Sequence, residues 1–222
     1  TPLNAIIGFS DVMREGLFGR LDARYQSYAE DIHGSGEHLL SLINDLLDIA
    51  KIEAGRMAIV PEAFSPADEV QQVARLIGPK AREKRQSVVL SLERAPAEML
   101  ADMRAFKQIA LNIAGNAVKF TQAGGAIEIG VRDENGDAVL WVRDNGPGIP
   151  ADRIAALFKP FERVDNAYSG AAGGTGLGLS LVKALAGLHG GTVTLESEVG
   201  DGTLVSVRFP GATRAAPQAL AA

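Results

Sequence analysis

The amino-acid sequence predicts an α+β chain in two parts: an N-terminal helical hairpin that forms a dimeric four-helix bundle, followed by an α/β two-layer sandwich. Three observations carry that prediction. Over residues 24–54, Tyr25, Ile32, Leu39 and Leu46 stand seven apart, as do Tyr28, Ser35, Leu42 and Ile49, and Ala29, Gly36, Ile43 and Ala50. Three such rows are wider than a two-stranded seam needs and suit a four-helix bundle. Beyond Gly55 helical patterns alternate with short runs of period two, which is how a helix layer on a mostly antiparallel sheet reads. The 222 residues, 46% hydrophobic and 22% charged, are enough for a folded core in one or two domains.

Helix one is expected over 1–17, where Leu3, Ile6, Ile7, Met13 and Leu17 recur at helical spacing and Pro2 suits a first turn. The stretch 16–22, Gly-Leu-Phe-Gly-Arg-Leu-Asp, breaks the pattern and leads into helix two over 24–54. Two helices cannot close so broad a stripe, so a second copy of the chain completes the bundle. Packing of the stripe on the chain's own second domain is the alternative. Gly55 stops helix two, and 57–64, with Pro61, reads as an extended linker. The expected domains are therefore a hairpin over 1–55, a linker over 56–64, a second domain over 65–210 and a disordered alanine-rich tail over 211–222. Inside the second domain the sequence predicts a helix over 66–84, a strand over 87–93 and a helix from an Asp102 N-cap to about Phe120. Strands over 126–132 and 138–144 flank the hairpin signal Asn135-Gly136. A short helix over 151–158, a small-residue loop over 169–174 and a helix over 177–189 follow, the last ended by Gly190-Gly191. A final hairpin joins 192–198 to 203–209.

Composition excludes several classes. Cysteine is absent, so there is no disulfide framework and no cysteine-based zinc site. Lys+Arg is 22 against 27 Asp+Glu, and a net charge of −5 argues against nucleic acid as a partner. Three histidines argue against a histidine-rich metal site. No apolar run has the length of a membrane span and no signal peptide opens the chain, so a cytoplasmic location is expected, with any membrane attachment upstream. The opening Thr1-Pro2, without methionine, is what a piece of a longer protein would show.

Three clusters in the second domain point to chemistry. In Asn112-Ile-Ala-Gly-Asn116-Ala-Val-Lys119-Phe120-Thr121, spacings of four and three put Asn112, Asn116 and Lys119 on one helix face. Amide oxygens and an ammonium there can hold a hydrated divalent cation and polyphosphate oxygens, and magnesium asks for few protein ligands. Read alone, the same face is the solvated side of an amphipathic helix. Asp144-Asn145-Gly146-Pro147-Gly148-Ile149 follows an apolar strand. Its glycines let the backbone turn sharply and approach a ligand, and a carboxylate at a strand end can accept from an exocyclic amine such as adenine's. An Asx-capped tight turn is the plainer alternative. Gly173-Gly174-Thr175-Gly176-Leu177-Gly178-Leu179-Ser180 opens a helix, so backbone amides and the positive helix end form a phosphate cradle. It lacks the preceding strand of a dinucleotide fold and the Gly-Lys-Ser/Thr of a P-loop, and a flexible packing loop is its alternative.

Taken in order, these clusters with Phe158-Lys-Pro-Phe161-Glu-Arg163 and Gly200-Asp-Gly202-Thr203 resemble the N, G1, F, G2 and terminal Gly-Thr boxes of the ATP-binding domain of sensor histidine kinases. Residues 1–10, Thr-Pro-Leu-Asn-Ala-Ile-Ile-Gly-Phe-Ser, resemble the downstream half of that family's H box. Ser35-Gly36-Glu37-His38 and Ile43-Asn44-Asp45-Leu46-Leu47-Asp48 resemble its second dimerisation helix. The likeness runs to about Pro210, and Phe18-Gly19 with Tyr25, Tyr28 and Ala29 is similar to alphaproteobacterial kinases of cell division and development. The resemblance implies a Bergerat-type ATP-binding sandwich, ATP and Mg²⁺ as cofactors, a homodimer through 1–55 and a response regulator receiver domain as partner. It implies that Asn116 ligates Mg²⁺ with Asn112 assisting, that Lys119 meets phosphates and that Phe120 lines the nucleotide site. Asp144 would bind the adenine amino group, with Gly146, Gly148, Ile149 and Thr203 close to the base. Gly174, Thr175, Gly176 and Leu177 would contact phosphates beneath a lid over 169–173, and Arg163 would reach the γ-phosphate. Phe158 and Phe161 would pack the lid and dock on the helices, or serve as core aromatics.

The family's phosphoacceptor histidine lies four residues before the Thr-Pro pair and so is not within this sequence. His33, His38 and His189 are read as structural, the last as a cation suited to a helix C-terminus. The resemblance implies that Thr1 positions water against the partner's aspartyl phosphate; a helix N-cap is the plainer reading, and the two are not exclusive. Phosphoryl transfer from ATP to histidine and on to a response regulator, or its reversal by dephosphorylation, is the expected activity. The rival readings are a nucleotide-binding scaffold without kinase activity, and an ATPase of gyrase and chaperone type. Against the last stands Asn112 where that class carries a glutamate, and Lys119 where it carries an acid.

Overall fold

A computed structural model describes residues 2–163 and 175–213. The chain divides into two compact units, Thr1–Ala50 and Lys51–Ala222.

The first unit is a hairpin of α1 (Pro2–Glu15) and most of α2 (Ala23–Glu53). Gly16 and Gly19 turn the chain with φ of 64° and 121°, and the Asp22 side chain accepts the Arg24 N–H at 3.0 Å as α2 begins. The Ala29–Gly36 row is the seam between the helices. Ala29 is fully buried, and a Cβ on Gly36 would stand 2.7 Å from Ile7 Cγ1. Ser10, buried beside His33, donates to the Ile7 carbonyl at 2.8 Å. Ile49 is also buried, but much of the remaining apolar surface stays wet: Ile6, Phe9, Met13, Tyr25, Ile32, Leu39 and Leu46 are each more than 40% exposed.

The second unit carries β1 (Glu62–Phe64), α3 (Pro66–Glu83), β2 (Ser87–Ser91), β3 (Met99–Ala101), α4 (Met103–Phe120), β4 (Ala126–Glu134) and β5 (Asp137–Asp144). Then follow α5 (Ala151–Ile154), a 3-10 turn (Ala156–Phe158), α6 (Gly178–Leu188), β6 (Thr192–Glu198) and β7 (Gly202–Phe209). The main sheet runs β2-β4-β5-β7-β6, antiparallel except for the parallel pair β2–β4. Alternate strand residues, among them Ile129, Leu140, Val142 and Val207, are buried beneath α3, α4 and α6. Asn135 and Gly136 both take positive φ, 59° and 97°, as a two-residue Asn-Gly hairpin turn requires.

Two features differ from the sequence reading. Glu62–Phe64, inside the stretch read as an extended linker, pairs with β3 in a second, two-stranded sheet, Phe64 opposite Met99. Three-residue strands are too short to show a period, so β3 left no signal. His189 is structural, as expected, but it is tied to Asp102 before α4 as well as to its own helix end. Its Nε2 accepts the Asp102 N–H at 3.2 Å, so Nδ1 is the nitrogen that carries hydrogen and donates to the Leu185 carbonyl at 2.8 Å. Both ring nitrogens are used, and the ring packs T-shaped with Phe209 at 5.3 Å between centroids.

α4 is fixed at both ends. Asp102 caps its start, accepting from Ala105 N–H and, across the chain, from Val60 N–H, each at 3.0 Å. Burial pushes the Asp102 carboxyl up, but the amides of Val60, Ala105 and Arg104 outweigh it and hold its pKa below the ordinary value. At the other end Lys84 Nζ donates to the carbonyls of Val118 and Lys119, and Gln86 Nε2 to those of Val118 and Thr121. Those bonds satisfy the carbonyls that a helix end leaves open.

Candidate functional site

The helix-facing rows of the sheet are aliphatic until their ends, where they turn polar together. Leu140 and Val142 lead to Asp144 on β5; Val207 and Val205 lead to Thr203 on β7; Val193 and Leu195 lead to Ser197 on β6. Asp144 pairs with Thr203 and Thr203 with Ser197, so the three share one face. Burial raises the pKa of the Asp144 carboxyl, and the backbone amides of Gly146 and Thr203 pull against it without cancelling the rise. The Gly146 N–H donates to its Oδ1 at 2.8 Å.

The loop after β5 lies backbone against backbone on the β6–β7 turn. A Cβ on Gly148 (φ 69°) would stand 1.8 Å from the Glu198 carbonyl oxygen, and one on Gly202 (φ 104°) 2.0 Å from that of Asp144. Both positions need glycine for space as well as for φ. Ile149 N–H donates to Ser197 Oγ at 2.9 Å, and Asn145 closes the far side by accepting Ala126 N–H at 2.7 Å.

α4 supplies the wall above. Asn112 Nδ2 donates back to the Gln108 carbonyl at 3.0 Å, which turns Oδ1 toward the start of α6. A Cβ on Gly178 would meet that oxygen at 3.1 Å and the Asn116 amide at 3.8 Å. Thr175 Oγ1 accepts the Leu177 N–H at 3.1 Å, and the first helical bond runs from Leu181 N–H to the Leu177 carbonyl. The amides of Gly178, Leu179 and Ser180 therefore point out of the helix end, beside the two asparagines. One turn on, Lys119 Nζ lies 4.9 Å from the Phe120 ring centre. Its pKa is lowered by burial first, then by the positive charges of Arg163 and Lys84. Phe120 O comes within 3.5 Å of where a Gly146 Cβ would be, so α4 ends directly over the Asp144 loop. Gly176 (φ 69°) is crossed by Phe161, whose N–H donates to the Gly176 carbonyl at 3.0 Å and whose own φ is 66°. Phe161 is 63% exposed and is not a core aromatic.

The fold thus brings the predicted residues into two adjoining groups. Asp144, Gly146, Gly148, Ile149 and Thr203 form an acceptor-lined end; Asn112, Asn116, Lys119, Phe120, Arg163, Thr175, Gly176 and Leu177 form an end of amides and cations. Thr1, Gly174 and the lid stretch 169–173 lie outside the described residues. Sequence reasoning missed Ser197 and the close approach at Gly178. Ser197 breaks the aliphatic run of inward positions on β6, and that was the available signal.

Two families match. Residues 101–213 match the histidine kinase-, DNA gyrase B- and HSP90-like ATPases, and residues 1–55 match the His Kinase A (phospho-acceptor) domain. The chain belongs to the histidine kinases. Histidine protein kinase DivJ of Caulobacter vibrioides is 46% identical over 210 residues, covering 95% of this chain and 35% of DivJ. The cell-division control histidine kinase PdhS of Brucella suis is 41% identical over 221 residues, covering 95% of this chain and 21% of PdhS. The solved structure of full-length ShkA in complex with AMPPNP superposes with a TM-score of 0.80 at 35% identity, covering 97% of this chain and 44% of ShkA. The chain spans less than half the length of these curated relatives. No described helix is long and apolar enough to cross a membrane.

Proposed function

We propose that this chain is the catalytic core of a cytoplasmic two-component kinase. It binds ATP with its purine on Asp144 and its phosphates at the start of α6. It then transfers the γ-phosphoryl group to the family's histidine, four residues before the Thr1-Pro2 pair. The observation that carries the reading is the pairing of opposites: an acceptor-lined pocket end at Asp144 and Thr203, and a donor-lined, cationic end at Gly178, Lys119 and Arg163. A nucleoside triphosphate has donors on its base and oxygens on its tail, and fits that polarity in one direction only.

The residues also fit a magnesium ion. Among the described residues no cluster of three or more His, Cys, Asp or Glu could hold a metal, so an ion here depends on phosphate oxygens, as magnesium does. Asn116 would be its protein ligand, with the Asn112 oxygen beside it. When bound, the metal supplies charge neutralisation between phosphate oxygens. Lys119 and Arg163 stabilise charge on the γ-phosphoryl group, and the α6 amides hold the chain of phosphates in line with the attacking imidazole nitrogen. The imidazole N–P bond forms as the bond to the bridging oxygen of ADP breaks. A response regulator aspartate then accepts the group.

The wet apolar stripe of α1 and α2 supports a homodimer through residues 1–55, because a contiguous exposed face of that kind marks an interaction surface. Calorimetry of ATP binding with Mg²⁺ tests the site: no measurable affinity ends the reading. Radiolabelled transfer from ATP in a chain extended about ten residues upstream, roughly three helical turns, separates a kinase from a nucleotide-binding scaffold.

A further inference from the structure

The polar row at the sheet's end contains a residue that none of the expected roles uses. Ser197 Oγ lies 2.6 Å from the Gly202 carbonyl oxygen. Two oxygens that close require a proton between them, and a carbonyl has none, so the serine hydroxyl donates to Gly202. The same oxygen accepts from Ile149 N–H at 2.9 Å and stands 2.9 Å from Thr203 Oγ1. With the serine proton spent on Gly202, the proton in that last contact belongs to the threonine. Thr203 therefore donates to Ser197, and toward a ligand its oxygen only accepts. The carboxylate form of Asp144 beside it is likewise an acceptor without a proton.

We propose that Ser197 is a specificity-determining positioning residue, which fixes the direction of the Thr203 hydroxyl and so makes the base end an acceptor-only edge for 6-amino purines. The proposal rests on the reading of Asp144 as the residue that meets the base. A 6-amino group brings hydrogens to these oxygens. A 6-oxo group brings lone pairs, and neither Thr203 nor Asp144 has a proton to offer it. Sites that leave polar groups unpaired in this way reject the wrong ligand far more strongly than apolar pockets do. Ser197 acts through Thr203, and its bond to Ile149 holds the Asp144 loop in place meanwhile.

The test compares ATP with inosine triphosphate, which exchanges the 6-amino group for a 6-oxo group and the N1 lone pair for an N1–H. Both are titrated with Mg²⁺ into the chain by calorimetry, with melting temperatures recorded alongside. The unaltered chain is expected to prefer ATP by about a hundredfold or more. In Ser197→Ala the Thr203 hydroxyl is free to turn and donate, and the preference is expected to fall about tenfold, which is the size of one lost hydrogen-bond discrimination. Ser197→Thr is expected to restore it. A purely structural role weakens both nucleotides alike, so an unchanged ratio in Ser197→Ala overturns the proposal. If that variant does not fold, Thr203→Val removes the hydroxyl that Ser197 directs, and an unchanged ratio there overturns it equally. An unaltered chain that binds neither nucleotide sinks the reading of the site and this proposal with it; intact ATP binding with an unmoved ratio sinks the Ser197 role alone.

Discussion

Replacing Asp144 by asparagine separates what the carboxylate does for binding from what it does to the fold. The two residues have the same shape, so the change is one of charge and of protons. The backbone amides of Gly146 and Thr203 bind the carboxylate, and in Asp144→Asn they claim the amide oxygen. The NH₂ group is then turned toward the base, donor against donor for a 6-amino purine. A hydrogen bond to a charged group contributes about 1.5–3 kcal/mol, so ATP affinity is expected to fall by roughly ten- to a hundredfold at about 1.4 kcal/mol per decade. Inosine triphosphate, with an acceptor at that position, is expected to lose less or to gain. Stability moves the other way. The folded state holds the Asp144 proton to higher pH than the unfolded chain does, because burial disfavours the charge. As pH rises from the ordinary carboxylate range through the raised value, the unfolded chain has already lost its proton, and stability is lost. At neutral pH the ligand-free variant is therefore expected to melt higher, by roughly 2–4 °C for about 1 kcal/mol in a unit of this size. Its stability is also expected to be flat across the window where the parent's falls. Calorimetry and thermal unfolding read both effects. An Asp144→Asn variant that binds ATP within about threefold of the parent would refute the reasoning.

Four further outcomes follow from particular contacts. Gly148→Ala puts a methyl 1.8 Å from the Glu198 carbonyl oxygen at a φ of 69°, and is expected to cost upward of about 2 kcal/mol and abolish nucleotide binding. Gly187→Ala, on the open side of α6 with nothing within 4 Å, is expected to gain up to about 1 kcal/mol; paired melting curves check both. Lys119→Met removes a half-buried cation that feels the positive charges of Arg163 and Lys84. It is expected to weaken ATP about tenfold without lowering the melting temperature of the free chain, and to remove the decline in affinity that sets in as pH rises toward the lowered lysine pKa. Leu39→Glu together with Leu46→Glu charges the wet stripe of α2 and is expected to give a monomer by light scattering with nucleotide affinity intact; a dimer that survives both changes would remove the stripe from the interface.

What the sequence made legible was whatever a few neighbouring residues decide among themselves. Asn135-Gly136 needs only its own two φ angles to specify a hairpin, and Asp102 needs only Ala105 to cap a helix. Asn112 and Asn116 share a face because a helix repeats, whatever it packs against. The parallel pairing of β2 with β4 and the short β1–β3 ladder depend on partners dozens of residues away, and no local pattern encodes them. The bond from the Asp102 N–H to His189, 87 residues distant, escaped the sequence for the same reason.

Ser197 sits between these cases. Period two places it on the inward face of β6, where a polar residue reads as a strand end and nothing more. Its meaning comes from Gly202 and Thr203, which a tight turn brings back opposite it. Only the resulting 2.6 Å contact reveals where its proton goes. Proton direction is a property of a network rather than of a residue type. A motif can therefore name the carboxylate that meets a base, yet remain silent on the hydroxyl that decides which bases are refused. If selectivity against 6-oxo purines persists in the absence of Ser197 Oγ, direction must be set by the ligand on arrival, and the row at the sheet's end is no more than its hydrophilic border.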